Sequence, residues 1–293
     1  MVVRLCACVW AVLGLSMSVL GADPWADRVV EFNSGGDPIP GYDLPGNALG
    51  SPSRMTGAGE FAGPVTPFNP AYNADQVYSI GAGGFLSLAF DEPVVDDPAN
   101  PFGIDLLIFG NQGFIDVSFS TGGAPGVTTP TAAMFGSNAS ATIEVSVDGM
   151  AWTLVAGHSS EAFFPTLGYL DLAGPYESMA GAIESDFTRP VDPSFDPSGK
   201  TFGEIVAGYN GSGGGVGIDL ASTGLSAISY VRVALPAGDA GNVEIDAMAD
   251  VLAVPGPGVV GFAMVLGFGT MRRHREARRG GRACGLLDFG GAR

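Results

Sequence analysis

Short apolar runs recur along the chain, and several of them alternate with polar residues at the period of a half-buried β-strand. In Thr142–Val147 the apolar Ile143, Val145 and Val147 would face one side, and the polar residues between them would face the other. Tyr230–Leu235 repeats this pattern. The runs predict strands at about Val29–Phe32, Gln76–Ile80, Phe85–Phe90, Ile104–Phe109, Ile115–Phe119, Ala141–Val147, Ala151–Val155, Ile228–Leu235 and Val243–Leu252.

Three further segments refine this picture. Leu106–Phe109 is apolar throughout, which indicates a central strand buried on both faces. Asp148-Gly149 follows one alternating run and precedes another, and this dipeptide is a strong signal for a hairpin turn, so we expect Trp152 to pack into the core beside it. A short helix is predicted near Phe202–Tyr209.

The chain is rich in residues that interrupt helices. It has 46 Gly and 21 Pro among 293 residues, which excludes a helical bundle. Aperiodic stretches at Ser34–Asn73, Thr121–Ser140 and Gly174–Gly217 predict long loops, and the run Gly211–Gly217 within the last of them predicts a flexible loop or a tight turn. The pattern therefore predicts an all-β sandwich with long loops over residues 23–253.

The N-terminus has the three parts of a secretory signal peptide. Arg4 supplies the positive charge, Val9–Leu15 the apolar run, and Ser18–Ala22 the small residues of a cleavage site. The apolar run is short for a membrane span. We expect residues 1–22 to be removed on export; the alternative is a short anchor that is never cut.

The C-terminal region combines a proline motif, a short apolar run and an arginine cluster. This arrangement resembles the PEP-CTERM sorting signal of planctomycetes and other Gram-negative bacteria, which an exosortase recognises, although Gly256 stands where that family often has Glu. The residues that match the signal are Val254, Pro255 and Pro257, followed after the apolar run 259–271 by Arg272, Arg273 and Arg275.

The resemblance implies a partner and a destination. An exosortase-type enzyme would process the protein while the apolar run within the signal at 254–283 crosses the inner membrane as a short transmembrane helix, with the arginines on the cytoplasmic side. The domain would then lie at the cell surface or outside the cell. The alternative is an ordinary C-terminal anchor. The predicted organisation is a signal peptide at 1–22, a β-sandwich at 23–253, a sorting signal at 254–283 and a tail at 284–293.

Charge and cysteine content exclude several classes of function. Residues 254–293 contain seven arginines and two acidic residues. Residues 23–253 contain five basic and 28 acidic residues, which gives a net charge of −23. Such a surface repels nucleic acid. The domain has no cysteine, since Cys6 and Cys8 precede it and Cys284 follows it, so it can contain neither a disulfide nor a thiolate nucleophile.

Sequence motifs in the domain resemble those of galactose-binding-like (discoidin-type) jelly rolls. Glu144–Thr153 is similar to their strand–turn–strand element, and Tyr230–Val233 with Glu244–Ala247 is similar to their last strand pair. Asp105–Phe114 and Asp186–Pro193 also resemble segments of uncharacterised exported bacterial proteins. The resemblance implies a jelly-roll β-sandwich and a surface location, and it implies no activity.

One group of oxygen-bearing side chains has the composition of a calcium site. Asp96, Asp97, Asn100 and Asp105 cluster before the apolar strand, and oxygen ligands on a turn suit Ca²⁺. Jelly rolls of the type that the sequence resembles often carry such an ion near the ends of the sandwich. The alternative is an acidic turn with side-chain-to-backbone hydrogen bonds. Asp219 and Asp246 would also need a metal or a hydrogen-bond partner if they face inward.

No catalytic constellation stands out in the sequence. A serine triad would need His158, the one histidine of the domain, and the glycine-rich context of Ser212 is not that of a nucleophile elbow. We expect a non-enzymatic surface protein, either a matrix component or a module that binds exopolysaccharide; the alternative is a secreted glycan hydrolase that uses carboxylates. Loop aromatics could stack on sugars or form small cores: Tyr42, Phe61, Phe68, Tyr72, Phe163, Phe164, Tyr169 and Tyr176.

Overall fold

The computed structural model describes residues 23–119, 126–135, 139–156 and 164–251. The predicted signal peptide at 1–22, His158 and Phe163 lie outside the described residues, as do the sorting signal and tail at 254–293. Within the described ranges, no helix combines the length and the apolar character that crossing a bilayer requires.

Five antiparallel strands form one sheet in the order β1-β3-β10-β7-β8. At its centre Arg232 lies opposite Ser87 on one neighbouring strand and opposite Glu144 on the other. The strands are β1 (Arg28–Asn33), β3 (Phe85–Val95), β7 (Thr142–Ser146), β8 (Thr153–Leu154) and β10 (Ala227–Ala234).

A second sheet has four antiparallel strands in the order β2-β11-β4-β9, and two short strands pair separately as β5-β6. The four strands are β2 (Tyr78–Ile80), β4 (Leu106–Gly110), β9 (Val216–Ile218) and β11 (Val243–Asp250). The short pair is β5 (Gly113–Phe114) and β6 (Met134–Phe135).

Alternate residues of both sheets meet in one apolar core. Leu88 and Val231 of the five-stranded sheet belong to the same buried cluster as Ile108 and Met248 of the four-stranded sheet. Burying one apolar face of each sheet against the other is what defines a sandwich. The structure therefore confirms the predicted all-β sandwich.

The four-stranded sheet is buried on its outer face as well. Leu107 and Phe109 of β4 cluster there with Phe187 from a loop, and the rings of Phe109 and Phe187 meet edge to face with centroids 5.4 Å apart. All four residues of Leu106–Phe109 have no exposed surface. The prediction that this apolar run is central and buried on both faces is confirmed.

The helix α1 (Phe202–Tyr209) occupies the predicted position. Thr201 and Glu204 form a reciprocal capping box at its start, and Asn210 ends it in the left-handed conformation. Phe202 and Tyr209 face a loop cluster that also contains Phe114 of β5. The helix therefore holds the short strand pair against the long loops.

Two segments differ from the sequence prediction. Ile115–Phe119 is not a strand, because Asp116 turns its carboxylate back onto Ser118, accepting hydrogen bonds from the amide at 2.9 Å and the hydroxyl at 2.6 Å. The glycine-rich run, by contrast, enters the strand β9, where a Cβ on Gly217 would lie 2.6 Å from Ile104. Gly213 and Gly215 likewise lie against the rings of Phe187 and Phe109, so these glycines serve close packing rather than a flexible loop.

The hairpin prediction is confirmed, and the placement of its tryptophan is wrong. β7 and β8 pair through Glu144 opposite Leu154, with Asp148-Gly149 in the connection. Trp152 does not enter the core but lies half-buried, with its ring 3.9 Å from the guanidinium carbon of Arg232. A cation–π contact therefore takes the place of the predicted core contact.

Candidate functional site

A cleft with a volume of about 820 Å³ opens between β5, β6, the beginning of β11 and the loops that precede β2 and follow β5. We call it the aromatic cleft and define it by six of its lining residues: Phe61, Tyr72, Phe119, Phe135, Tyr176 and Glu244. Its size is in the range of sites that bind small molecules or a few sugar units.

Three rings from three different loops meet at the aromatic cleft. Phe61 and Phe119 have centroids 6.1 Å apart, Phe119 and Tyr176 are 5.3 Å apart, and Phe61 and Tyr176 are 6.4 Å apart. Phe61 is 44% exposed and Phe119 is 56% exposed. Large apolar side chains that cluster in a concavity while remaining this accessible are typical of a binding surface.

Buried polar groups complete the lining. Glu244 of β11 is 7% exposed, and its Oε1 accepts a hydrogen bond of 3.1 Å from the Ser79 hydroxyl. Burial raises the pKa of Glu244, with only partial compensation from this hydrogen bond. The hydroxyl of Tyr72 is buried and has no hydrogen-bond partner among the residues that the structure describes. Unsatisfied groups of this kind are sites where a ligand can gain a hydrogen bond.

Asp116 holds one wall of the cleft in shape. Besides its bonds to Ser118, it accepts hydrogen bonds from the amides of Gly126 at 2.7 Å and Val127 at 3.1 Å. Burial alone would raise the pKa of Asp116, but these donors outweigh it and lower the pKa. The Tyr176 hydroxyl donates to the same carboxylate at 3.2 Å, and burial, together with the charge of Asp116, raises the pKa of Tyr176 well above its usual range.

The predicted loop aromatics divide between the lining of the aromatic cleft and positions that pack elsewhere in the protein. Phe61, Phe68, Tyr72 and Tyr176 line the cleft. The hydroxyl of Tyr42 instead donates to the carbonyl of Tyr72. The other two described members pack away from the cleft, Phe164 against Tyr209 and Tyr169 beside Arg54.

A second site lies at the other group of candidate residues. Asp96, Asp105 and Asp219 each place a carboxylate oxygen within 4.8 Å of the other two, and we call these three residues the aspartate cluster. Burial and the neighbouring charges of Asp105 and Asp219 raise the pKa of Asp96. The cluster joins two of the four predicted ligands to Asp219, which sequence analysis had singled out separately.

Asp105 is the buried centre of the aspartate cluster. Its Oδ1 accepts hydrogen bonds from the Asp97 amide at 3.0 Å and from Asn100 Nδ2 at 2.9 Å, and its Oδ2 accepts one from the Leu220 amide at 2.9 Å. Asn100 is 6% exposed, and its Oδ1 is buried without a partner. Carboxylate and amide oxygens in this arrangement fit Ca²⁺, which prefers oxygen ligands.

Two further aspartates have partners within the protein. The Oδ1 of Asp97 accepts a hydrogen bond from the Ala99 amide at 2.8 Å, and its carboxylate is not one of the three that converge. Asp246 receives the amide and the hydroxyl of Ser53 at 2.8 and 3.0 Å. Burial nevertheless raises the pKa of Asp246 to about 7. The hydrogen-bond role foreseen for Asp246 is thus the one observed.

Comparison with known proteins gives only distant structural similarity. No protein-family model matches the sequence, and no curated protein is significantly similar to it. Among solved structures, a pectin-binding carbohydrate-binding module aligns over 79% of this chain and 94% of its own, with 11% identity and a TM-score of 0.30. That score is too low to carry either fold or ligand across, so the fold assignment rests on the two sheets and their shared core.

Proposed function

We propose that this protein is a non-enzymatic surface or matrix protein that holds a polysaccharide chain in the aromatic cleft. The observation that carries the proposal is the meeting of Phe61, Phe119 and Tyr176 at an open concavity of about 820 Å³. The apolar faces of sugar rings pack on aromatic rings, and a few buried polar groups then select the orientation. Glu244 and Tyr72 are suited to that second task.

The test is to remove the rings without removing the fold. Affinity electrophoresis measures the affinity of the protein for each member of a panel of soluble polysaccharides. In the double variant Phe61→Ala/Phe119→Ala we expect this affinity to fall at least about tenfold. Trp152→Ala is the matched control, because Trp152 stacks on Arg232 of the five-stranded sheet and does not line the cleft. Undiminished binding by the double variant would contradict the proposal.

A second candidate function is the hydrolysis of a glycan by carboxylates. The observation that favours it is the presence in one cleft of Glu244, whose pKa is raised, and Asp116, whose pKa is lowered, since an acid and an ionised partner are what such chemistry needs. Release of new reducing ends from a bound polysaccharide, abolished by Glu244→Gln, would establish hydrolysis. Binding without release would leave the binding function alone.

We also propose that the aspartate cluster holds a structural calcium ion. Asp96, Asp105, Asp219 and the buried Oδ1 of Asn100 would supply oxygen ligands. The ion would offset two of the three negative charges and tie the loop that precedes β4 to the loop that follows β9.

An ion that binds only the folded state raises its stability by mass action. We therefore expect Ca²⁺ to raise the Tm and EDTA to lower it, and we expect Asp219→Asn to remove this response. Asp75→Asn is the control, since Asp75 is exposed and outside the cluster. A Tm of the wild type that is identical in Ca²⁺ and in EDTA would exclude the ion.

Export and sorting complete the proposal. We propose that the sandwich is of the galactose-binding-like type and reaches the cell surface through the signal peptide and the C-terminal signal. Changing Arg272, Arg273 and Arg275 to Ala should alter the processed mass or the membrane fractionation in a host with an exosortase. Unchanged mass and fractionation would count against the sorting signal.

A further inference from the structure

The charges that line the aromatic cleft are all of one sign. Glu60, Asp116 and Glu244 line it, and no lysine, arginine or histidine among the described residues does. The basic side chains between residues 23 and 251 lie elsewhere: Arg28, Arg54, Arg189, Lys200 and Arg232. Three of these form ion pairs with acids outside the cleft.

The buried position of Glu244 makes this imbalance consequential. Its described hydrogen-bond partner is the neutral Ser79, and no ion pair compensates its charge. Asp116 is held by neutral donors as well, the amides of Gly126 and Val127 and the hydroxyl of Tyr176. A third carboxylate entering between them would meet two acidic groups, in surroundings where water screens charge poorly.

We infer that the aromatic cleft takes an uncharged glycan chain and excludes chains of uronic acids, an inference that rests on the proposed polysaccharide-binding function. The rings of Phe61, Phe119 and Tyr176 stack on a pyranose whether or not it carries a carboxylate, so they do not discriminate. Discrimination comes from Glu60 and Asp116, whose negative charges repel a uronate, and from the buried Glu244, which offers a uronate no positive partner.

The first test compares neutral polymers with uronate polymers on the intact protein. Galactomannan, xyloglucan and mixed-linkage β-glucan form the neutral set, and alginate and polygalacturonate form the anionic set. We expect binding to at least one neutral polymer, insensitive to salt, and at least about tenfold weaker binding to both uronates.

The possible outcomes distinguish a failure of the charge selectivity from a failure of the proposed polysaccharide binding. Binding of a uronate that is as tight as that of the neutral polymers, and that Phe61→Ala/Phe119→Ala abolishes, would overturn the charge selectivity and leave polysaccharide binding standing. Absence of binding to every polymer would overturn both. Uronate binding that survives in the double variant, without binding of any neutral polymer, would place the carbohydrate site outside the cleft and would also overturn both.

A charge reversal sharpens the test. Glu60 is exposed and lines the cleft, so Glu60→Lys should raise the affinity for a uronate several-fold relative to the affinity for a neutral polymer at low salt. Glu92→Lys is the matched control, because Glu92 is exposed on β3 outside the cleft and the variant has the same net charge. An equal gain in both variants would show that overall charge, not the cleft, decides the selectivity.

Discussion

The aromatic cleft and the aspartate cluster each enclose a carboxylate that is almost inaccessible to solvent, Glu244 in the first and Asp105 in the second. Among the described residues, Glu244 accepts one hydrogen bond from another residue, the Ser79 hydroxyl, whereas Asp105 accepts three, two of them from backbone amides. The same kind of group therefore serves two purposes. Asp105 fixes loops in place around a proposed metal site, and Glu244 keeps more of its acceptor capacity for a sugar.

The largest effect expected from this contrast is on stability. Asp105→Ala leaves the amides of Asp97 and Leu220 and the side chain of Asn100 without their acceptor, at a cost of about 4 to 5 kcal/mol of unfolding free energy. Glu244→Gln keeps the shape and an acceptor for Ser79, and should change the unfolding free energy by no more than about 1 kcal/mol. Urea denaturation measures both. Equal losses would erase the distinction between the two sites.

Asp246 is an intermediate case between the two sites. It is buried two residues beyond Glu244 and accepts hydrogen bonds from the amide and the hydroxyl of Ser53. Its ionisation should make the unfolding free energy depend on pH. Its pKa is about 7 in the folded protein against 3.8 for the free group. Between these two pH values the unfolded chain binds fewer protons at Asp246 than the folded protein does. The contribution of the protonated Asp246 to the unfolding free energy is therefore complete below about pH 4 and is lost as the pH rises through 7. The loss amounts to about 4 kcal/mol.

The variant that checks this origin is Asp246→Asn, which cannot ionise. Its unfolding free energy, measured by denaturation from pH 4 to pH 8, should decline less with pH than that of the wild type. A residual decline is expected, because burial and the charge of Asp105 also raise the pKa of Asp250 to about 7. A variant with the full wild-type slope would show that Asp246 is not the titrating group.

Much of the fold could be predicted from the local pattern of apolar and polar residues. Alternation foretold the strands that form the sandwich, and the capping residues of α1 lie where a helix was predicted, because both signals depend on neighbouring residues alone. The convergence of Asp96 and Asp105 was also foreseen, since both lie in the short segment just before the apolar strand. What sequence analysis treated separately was Asp219, which the pairing of β4 with β9 brings to them.

The rest depends on contacts between distant segments. Ile115–Phe119 alternates like a strand, yet its apolar residues face outward because Asp116 is bonded to Gly126 and Val127. Glu244 was missed although a signal existed, because it is one of three acidic residues in β11, with Asp246 and Asp250, and the rest of that strand is apolar. The aromatic cleft joins loops more than 50 residues apart, Phe61, Phe119 and Tyr176, and no period along the chain reports such a meeting.

A smaller effect is expected at the wall of the cleft. Tyr176→Phe removes one donor from Asp116 and keeps the ring that contacts Phe119, so the unfolding free energy should fall by about 1 kcal/mol. Polysaccharide affinity should change by less than about threefold, because stacking is retained. A loss of affinity as large as that of the ring deletions would mean that the hydroxyl, rather than the ring, contacts the ligand.

The smallest change in stability is expected for the exposed rings of the aromatic cleft, where substitution should have the largest effect on polysaccharide affinity. Phe61 is 44% exposed, so Phe61→Ala should lower the unfolding free energy by no more than about 0.5 kcal/mol. Leu107→Ala in the buried sheet provides the contrast, with an expected loss of about 3 kcal/mol and unchanged affinity if the variant folds. Calorimetry and affinity electrophoresis on both variants separate the two quantities. If Phe61→Ala proved as destabilising as Leu107→Ala, the rings of the cleft would belong to the core, and the reason for assigning them a ligand would disappear.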